Sequence, residues 1–294
     1  MSRAMELHAR ATAGFEERVA HAVAVLQTAA NEHLGGIVQT TSLGAEDMVL
    51  TDLIARHGLP IALATLDTGK LHAQTLALIP RIEARYGLKV ECWRPEQNDV
   101  IHFVQQHGDL AMRESIHLRK ACCGLRKLEP LSRLLSNRSA WVTGLRREQS
   151  GARAVVPFSE LDEAGRTKFN PLADWSWHDV WHYVDQHEVP YNLLHDEFFP
   201  SIGCEPCTRA VAIGEDFRAG RWWWESENAK ECGLHVSPQS AAAPAAPASQ
   251  SEVGSVFASA QAHIGAADVS RSQNEQAKEN GLHVSHTHNQ ETVA

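Results

Sequence analysis

The sequence contains no apolar run near the roughly 18 residues that a membrane-spanning helix needs. Its first residues also lack the basic start, apolar core and small-residue cleavage site of a secretory signal. We therefore expect a cytoplasmic protein without a membrane partner, in which thiols stay reduced. An excess of positive charge is absent as well. The formal net charge is −9, which argues against sequence-independent binding to nucleic acid.

Cysteine is scarce, with six residues in a chain of 294. A chain of this length with 43% hydrophobic content buries a sizeable core, so it does not need disulfides for stability. The cysteines must then be explained by chemistry. Cys92 is the exception, because it lies in the apolar run KVECW, where we expect a small buried side chain.

The last part of the chain is poor in aromatic residues. Residues 237–294 contain one, Phe257, and are rich in Ala, Ser, Gln and Pro, so we expect this tail to be disordered. The segment AKECGLHVS at 229–237 is repeated there as AKENGLHVS, with Asn280 in place of Cys232. A copy without the thiol cannot perform thiol chemistry. The sequence thus predicts one domain over residues 1–236, followed by a tail.

Strands and helices alternate in the first half of the chain. Short β-rich runs at 35–42, 61–67 and 140–144 are separated by helical patterns, such as Val49 and Leu53 with i,i+4 spacing. This alternation predicts an α/β fold with a doubly wound, mostly parallel sheet and helices on both faces. Ligands of such sheets bind beyond the carboxyl ends of the strands.

Three predicted strand ends carry polar or basic residues that suit a nucleotide or an anion. Hydroxyls and backbone N–H groups of a strand-to-helix turn can bind phosphate, an aspartate can bind ribose, and arginines can pair with an oxyanion. Ordinary turns have the same composition, so the convergence of the three on one edge is what favours a site. The candidates are Thr41, Ser42 and Gly44, then Asp67, Thr68 and Gly69, then Arg146 and Arg147.

Four cysteines form two pairs: Cys122 with Cys123, and Cys204 with Cys207 in a CxxC motif. Zinc and iron–sulfur sites both use four thiolates. Adjacent side chains on a helix point about 100° apart, which strains binding to one ion but suits separate irons of a cubane. The pattern favours one 4Fe–4S cluster per subunit over zinc. Nearby cations, which could offset its charge or hold an anionic substrate, include Lys127, Arg218 and Arg221.

Seven motifs follow one another along the chain: GAEDMVL with Glu46, LDTGKLH, KACCGLRKLEPL, TGLRREQS, CEPCTRAV, GRWWWE and KECGLH. With these motifs in this order, the sequence resembles the assimilatory sulfonucleotide reductases, and among them the thioredoxin-dependent adenylyl-sulfate (APS) reductases. The resemblance covers roughly residues 35–236. It implies an adenine nucleotide alpha hydrolase-like fold with a mobile C-terminal catalytic segment near 222–236.

The resemblance also implies an activity. The two cysteine pairs would hold the cluster, Cys232 would attack APS as the nucleophile, and thioredoxin would release sulfite in sulfate assimilation and cysteine biosynthesis. His235 would support the Cys232 thiolate through positive charge. The expected partners are APS and thioredoxin, and a homo-oligomer is left open. Reductases specific for PAPS typically lack the two cysteine pairs, so APS is the expected substrate.

Three alternatives remain open from the sequence. The first is a PAPS reductase. The second is a tRNA-thiolating type of ATP pyrophosphatase with an iron–sulfur cluster, although TTSLGAED lacks the double glycine of that class. The third is a zinc-binding interaction module without catalytic activity, in which Cys232 would be idle.

Overall fold

The computed structural model describes residues 2–226. None of the helices in this part of the chain has both the length and the apolar character of a membrane span. The predicted mobile catalytic segment and the boundary at residue 236 lie at or beyond the end of the described residues. The α-helices are α1 Arg3–His8, α2 Phe15–Glu32, α3 Ala45–Arg56, α4 Ala73–Leu76, α5 Leu78–Tyr86, α6 Gln97–His107, α7 Ile116–Cys123, α8 Glu129–Leu135 and α9 Trp177–Gln186.

The described strands form one six-stranded sheet with the order β3-β2-β1-β4-β6-β5. Its strands are β1 Ile37–Thr41, β2 Ala62–Leu66, β3 Val90–Trp93, β4 Ala140–Val142, β5 Ser159–Leu161 and β6 Thr167–Phe169. All neighbours pair in parallel except β5, which runs antiparallel to β6 at one edge. The prediction of a mostly parallel sheet is confirmed.

Alternate side chains of the central strands enter two different cores, as the period of a strand requires. In β1, Ile37 packs in the core formed with α2, α3, α5 and α9, whereas Val38 packs in a second core with Leu131 and Leu134 of α8. In β4, Trp141 joins the second core. Helices therefore cover both faces of the sheet, as predicted.

The strand order places a topological switch point between β1 and β4. The chain leaves β1 for β2 on one side of the sheet and later returns to β4 on the other side. A crevice opens at such a point beyond the carboxyl ends of the strands. The loops at residues 42–44 and 143–146 lie there.

The prediction that Cys92 is buried is wrong, because its side chain is exposed. Cys92 lies on β3, the edge strand, which has a neighbouring strand on one side only. The apolar run predicted the strand correctly, but a sequence pattern does not say which strand forms the edge.

Candidate active site

A cavity of about 160 Å³ lies at the carboxyl ends of β1 and β4. Its walls come from the loop after β1, the first turn of α3 and the loop after β4. Among the predicted residues, Thr41, Ser42, Glu46 and Lys127 line it. We refer to it as the strand-end cavity.

Asp47 holds the two loops of the strand-end cavity together. Its Oδ2 accepts hydrogen bonds from the backbone N and the Oγ of Ser42, both at 2.6 Å. The backbone N–H of Gly144 also bonds to this carboxyl, and a Cβ at Gly144 would lie 2.6 Å from Asp47 Oδ1. Burial raises the pKa of Asp47 to about 6, against the opposing effect of the Ser42 hydrogen bonds.

A second cavity, of about 140 Å³, shares several walls with the first, and we call it the basic cavity. Gly44 and Glu46 line it at the start of α3. Its lining includes four cationic side chains and one carboxylate: Lys127, Arg153, Arg218, Arg221 and Glu46. Its histidine adds no charge near neutral pH, because burial lowers the pKa of His195 to about 4.

The arginines of the basic cavity are nearly buried. Arg153, Arg218 and Arg221 are 9%, 8% and 7% exposed. A buried cation is costly unless an anion or a dipole compensates it. The Nε of Arg221 has no hydrogen-bond partner among the described residues. The cavity is therefore suited to a small anion with several oxygen atoms, which planar guanidinium groups bind through paired hydrogen bonds.

The four paired cysteines line a third, small cavity, together with Lys70, Arg126 and Lys127. Cys122 and Cys123 come from the end of α7, Cys204 precedes a 3-10 turn, and Cys207 is the last residue of that turn. The backbone N of Glu205 donates to Lys70 O at 2.8 Å, which fixes this turn beside the loop after β2. The fold thus brings together two pairs of thiols that lie about eighty residues apart in the sequence.

Burial disfavours the thiolate forms of Cys207 and Cys122. It raises the pKa of Cys207 to about 12, with a further contribution from Cys204 and Cys123, and it raises the pKa of Cys122 against the effect of Arg126. Metal binding would reverse this preference, because metal ligands are deprotonated. Four thiols with three cations nearby fit a group that takes several thiolates and carries net negative charge.

Among residues 2–226, no group of three or more Cys, His, Asp or Glu side chains is placed to hold a single metal ion. Ligation by the four cysteines stays a prediction.

Lys127 lines all three cavities. It lies four residues after Cys123, in the π-helical turn Gly124–Leu128 that joins α7 to α8. π-Helical turns are rare in proteins, and those that occur are often found at functional sites. Any anion in the basic cavity would share this lysine with the cysteine cavity.

The turn after β2, which was predicted to bind substrate, lies beside the cysteine cavity. Asp67, Thr68 and Gly69 line neither the strand-end cavity nor the basic cavity. Thr68 Oγ1 lies 3.2 Å from Cys204 Sγ, and Arg126 Nη1 donates to Thr68 O at 2.7 Å. The Asp67 carboxylate accepts from Arg94 Nε at 2.8 Å. The turn supports the cysteine cavity because the 3-10 turn at Cys204 packs against it.

Arg146 and Arg147, which were also predicted to bind substrate, line neither the strand-end cavity nor the basic cavity. Arg146 is 1% exposed, and its guanidinium donates to Glu46 at 3.0 Å and to Glu148 at 2.7 Å. Arg147 Nε donates to Val156 O at 2.9 Å. Arg146 is thus paired with carboxylates of α3 and of its own loop, and Arg147 binds within its own loop.

The same loop contributes two residues that the sequence analysis missed, Gln149 and Arg153. Both line the strand-end cavity and the basic cavity, and Arg153 Nη1 donates to Gln149 Oε1 at 2.6 Å. The signal was available in TGLRREQSGAR, where a third arginine follows the adjacent pair. Only the 3-10 turns at 147–149 and 151–153 decide which arginine faces the cavity.

Two predicted residues, Cys232 and His235, lie outside the described residues. The described chain ends at Ser226, shortly after Arg218, Arg221 and Trp222 have lined the basic cavity.

Residues 36–210 match the phosphoadenosine phosphosulfate reductase domain family. Adenosine 5'-phosphosulfate reductase of Allochromatium vinosum is 53% identical over 219 residues, which cover 74% of this chain and 85% of that protein. The enzyme of the same name from Burkholderia cepacia is 55% identical over 198 residues, covering 67% and 79%.

Among solved structures, the phosphoadenylyl-sulfate (PAPS) reductase of Candida auris, crystallised as a phosphate complex, superposes with a TM-score of 0.54. It is 26% identical, and the match covers 69% of this chain and all of that one. The family match spans more than half of the chain and includes the four paired cysteines, whereas Arg218 and Arg221 of the basic cavity lie after it. The chain belongs to the phosphoadenosine phosphosulfate reductase domain family.

Proposed function

We propose that this protein reduces APS to sulfite and AMP in sulfate assimilation and cysteine biosynthesis. The observation that carries the proposal is the position of Lys127 between the two ligand cavities and the cysteine cavity. Two relatives above 50% identity are named adenosine 5'-phosphosulfate reductase, which supports the same substrate.

The two ligand cavities divide the substrate between them. The strand-end cavity takes the adenosine, in the position that nucleotides occupy in doubly wound sheets. The basic cavity takes the phosphosulfate, because its lining has four cationic side chains and one carboxylate. Lys127, Arg153, Arg218 and Arg221 are the residues that we assign to this anion.

The first chemical step is attack by the Cys232 thiolate on the sulfur of APS. A bond forms between Cys232 Sγ and the sulfonate sulfur, and the bond from that sulfur to the phosphate oxygen breaks. AMP leaves with the electron pair. The cations of the basic cavity stabilise the charge on the leaving phosphate. His235 and the adjacent positive charge favour the thiolate of Cys232.

Thioredoxin completes the reaction. One of its thiolates attacks Cys232 Sγ, and sulfite leaves with the electron pair of the sulfur–sulfur bond. Its second thiol then resolves the mixed disulfide and frees Cys232. The dithiol supplies both electrons. An external dithiol is needed because the sequence from 208 to the end contains no cysteine besides Cys232.

Cys122, Cys123, Cys204 and Cys207 would hold one 4Fe–4S cluster in the small cavity. When bound, the cluster supplies charge beside the anion and a structural link between α7 and the CxxC turn. Lys70, Arg126 and Lys127 offset its negative charge. No electron needs to pass from iron to sulfur, because the dithiol is the reductant.

The test is an anaerobic assay of sulfite release from APS and PAPS side by side, with thioredoxin as the donor. We expect turnover with both AMP and sulfite as products and a clear preference for APS. Comparable kcat/KM values for the two nucleotides would reject the substrate specificity and keep the reaction class.

Metal analysis of the purified protein distinguishes the non-enzymatic alternative. Iron and sulfide with broad visible absorbance are expected. A colourless protein with stoichiometric zinc and no sulfite release would replace the reductase by a zinc-binding interaction module.

A further inference from the structure

A buried ion pair joins the cysteine-bearing helix to the last described residues of the chain. Arg119 of α7 binds Glu225 through two hydrogen bonds, from Nε to Oε1 and from Nη2 to Oε2, each 2.8 Å long. The side chains are 0% and 2% exposed. Arg119 lies one helical turn before Cys122 and Cys123, so the pair connects their helix to the segment at 222–225.

The same segment has further contacts around the cysteine cavity. The Arg119 guanidinium lies 4.7 Å from the ring centroid of Trp222, which is 1% exposed and packs against Cys122 and Cys207. The backbone N of Trp222 donates to Cys207 O at 3.2 Å. Residue 222 has φ of 41°, an unusual conformation for a bulky side chain. Such strain persists only where the surroundings fix it.

A second arginine holds the rings beyond Trp222. Arg113 lies 5.2 Å from the Trp223 ring and 5.6 Å from the Trp224 ring. Its Nε and Nη2 also donate to Pro206 O, at 3.2 Å and 3.1 Å. Pro206 lies inside the CxxC motif, so both cysteine pairs are tied to residues 222–225.

Stability alone gives a weak reason for the Arg119–Glu225 pair. Taking two charges out of water is costly, and apolar residues of the same volume often stabilise a fold as well. What a forked guanidinium and a carboxylate add is a single mutual orientation. The pair therefore fixes the position of Glu225 relative to α7.

We propose that Arg119 and Glu225 are positioning residues for the nucleophile, an inference that rests on the proposed function. Cys232 follows Glu225 by seven residues. Seven residues span at most about 25 Å, so the anchor at Glu225 limits the volume within which Cys232 can meet its substrate. Arg218, Arg221 and Trp222, just before the anchor, line the basic cavity. The pair thus sets the starting point of the nucleophile's segment beside the anion that it attacks.

The experiment uses the full-length protein with its metal and compares Glu225→Gln with Glu215→Gln. Glu215 is a matched control, because it also binds an arginine through both oxygens, at 2.8 Å and 2.7 Å to Arg209, but in a partly exposed pair. Three quantities are measured: iron per chain, affinity for AMP, and the rate at which APS without reductant sulfonates the protein in a single turnover.

For Glu225→Gln we expect unchanged iron, AMP affinity within about threefold of wild type, and a sulfonation rate lower by about tenfold or more. The change of Glu215 should alter the rate by less than about twofold. Arg119→Lys, which keeps the charge and loses the fork, should lower the sulfonation rate by a similar factor.

An unchanged sulfonation rate in Glu225→Gln and Arg119→Lys would overturn the proposal. Loss of iron, of AMP binding or of the folded state in both variants would also overturn it, because the pair would then be structural only. If the wild-type protein releases no AMP from APS, the proposed function fails first, which separates that result from the other two.

Discussion

Arg153 provides a sharp test of the site, because the sequence pointed to its neighbours instead. Arg153 lines both ligand cavities and is 9% exposed, whereas Arg147 lies in the same loop and donates to Val156 O. Arg153→Ala should remove charge-assisted hydrogen bonds to the phosphosulfate, each worth about 1.5–3 kcal/mol. One such bond corresponds to a loss of about 10- to 150-fold in kcat/KM for APS.

The matched variant is Arg147→Ala, which removes the same charge from the same loop. Its kcat/KM should stay within about threefold of wild type, because its guanidinium contacts the loop and the Phe158 ring. Steady-state kinetics with APS, at fixed thioredoxin, measure both. Equal and small losses of kcat/KM in the two variants would show that Arg153 does not bind the substrate. A larger loss in Arg147→Ala would support the prediction from the sequence that Arg147 binds it.

Three further predictions concern Cys204, the C-terminal tail and Asp47. Cys204→Ser should lose iron and sulfite release together, and retention of both would exclude it as a ligand. Truncation after Val236 should leave kcat nearly unchanged, since the tail lacks a second thiol, whereas loss of turnover would assign the tail a function. Burial raises the pKa of Asp47 from 3.8 to about 6. The protonated carboxyl therefore adds to the free energy of unfolding below pH 4, and this contribution is lost as the pH rises through 6. The melting temperature of wild type relative to Asp47→Asn should therefore fall between pH 4 and pH 6, and a difference independent of pH would contradict the assigned burial.

The sheet was predictable from the sequence because its signals are local. The apolar runs that became β1 and β2 ended where the structure ends them, within one or two residues. The edge hairpin of β5 and β6 was missed, since its three-residue strands SEL and TKF carry no apolar run. Strand order is set by tertiary packing, and for that reason the exposure of Cys92 could not be predicted.

The site was predictable in its residue types and less so in its geometry. The spacing of the two cysteine pairs predicted that the four thiols act together, and the fold brings all four to one cavity. Which of several nearby polar groups faces a cavity depends on single turns. The 3-10 turns after β4 direct Arg153 into the cavities and Arg146 into a buried ion pair with Glu46. The turn at Thr68 was assigned to the nucleotide, yet it packs against Cys204.

The central claim is that Cys232 carries the transferred sulfonate, and one measurement tests it directly. The protein is incubated anaerobically with APS and no reductant, digested, and its cysteine peptides are analysed by mass spectrometry. We expect one sulfonate on Cys232, one AMP released per chain, and release of sulfite when thioredoxin is added. A sulfonate on Cys92, or turnover by Cys232→Ser, would contradict it.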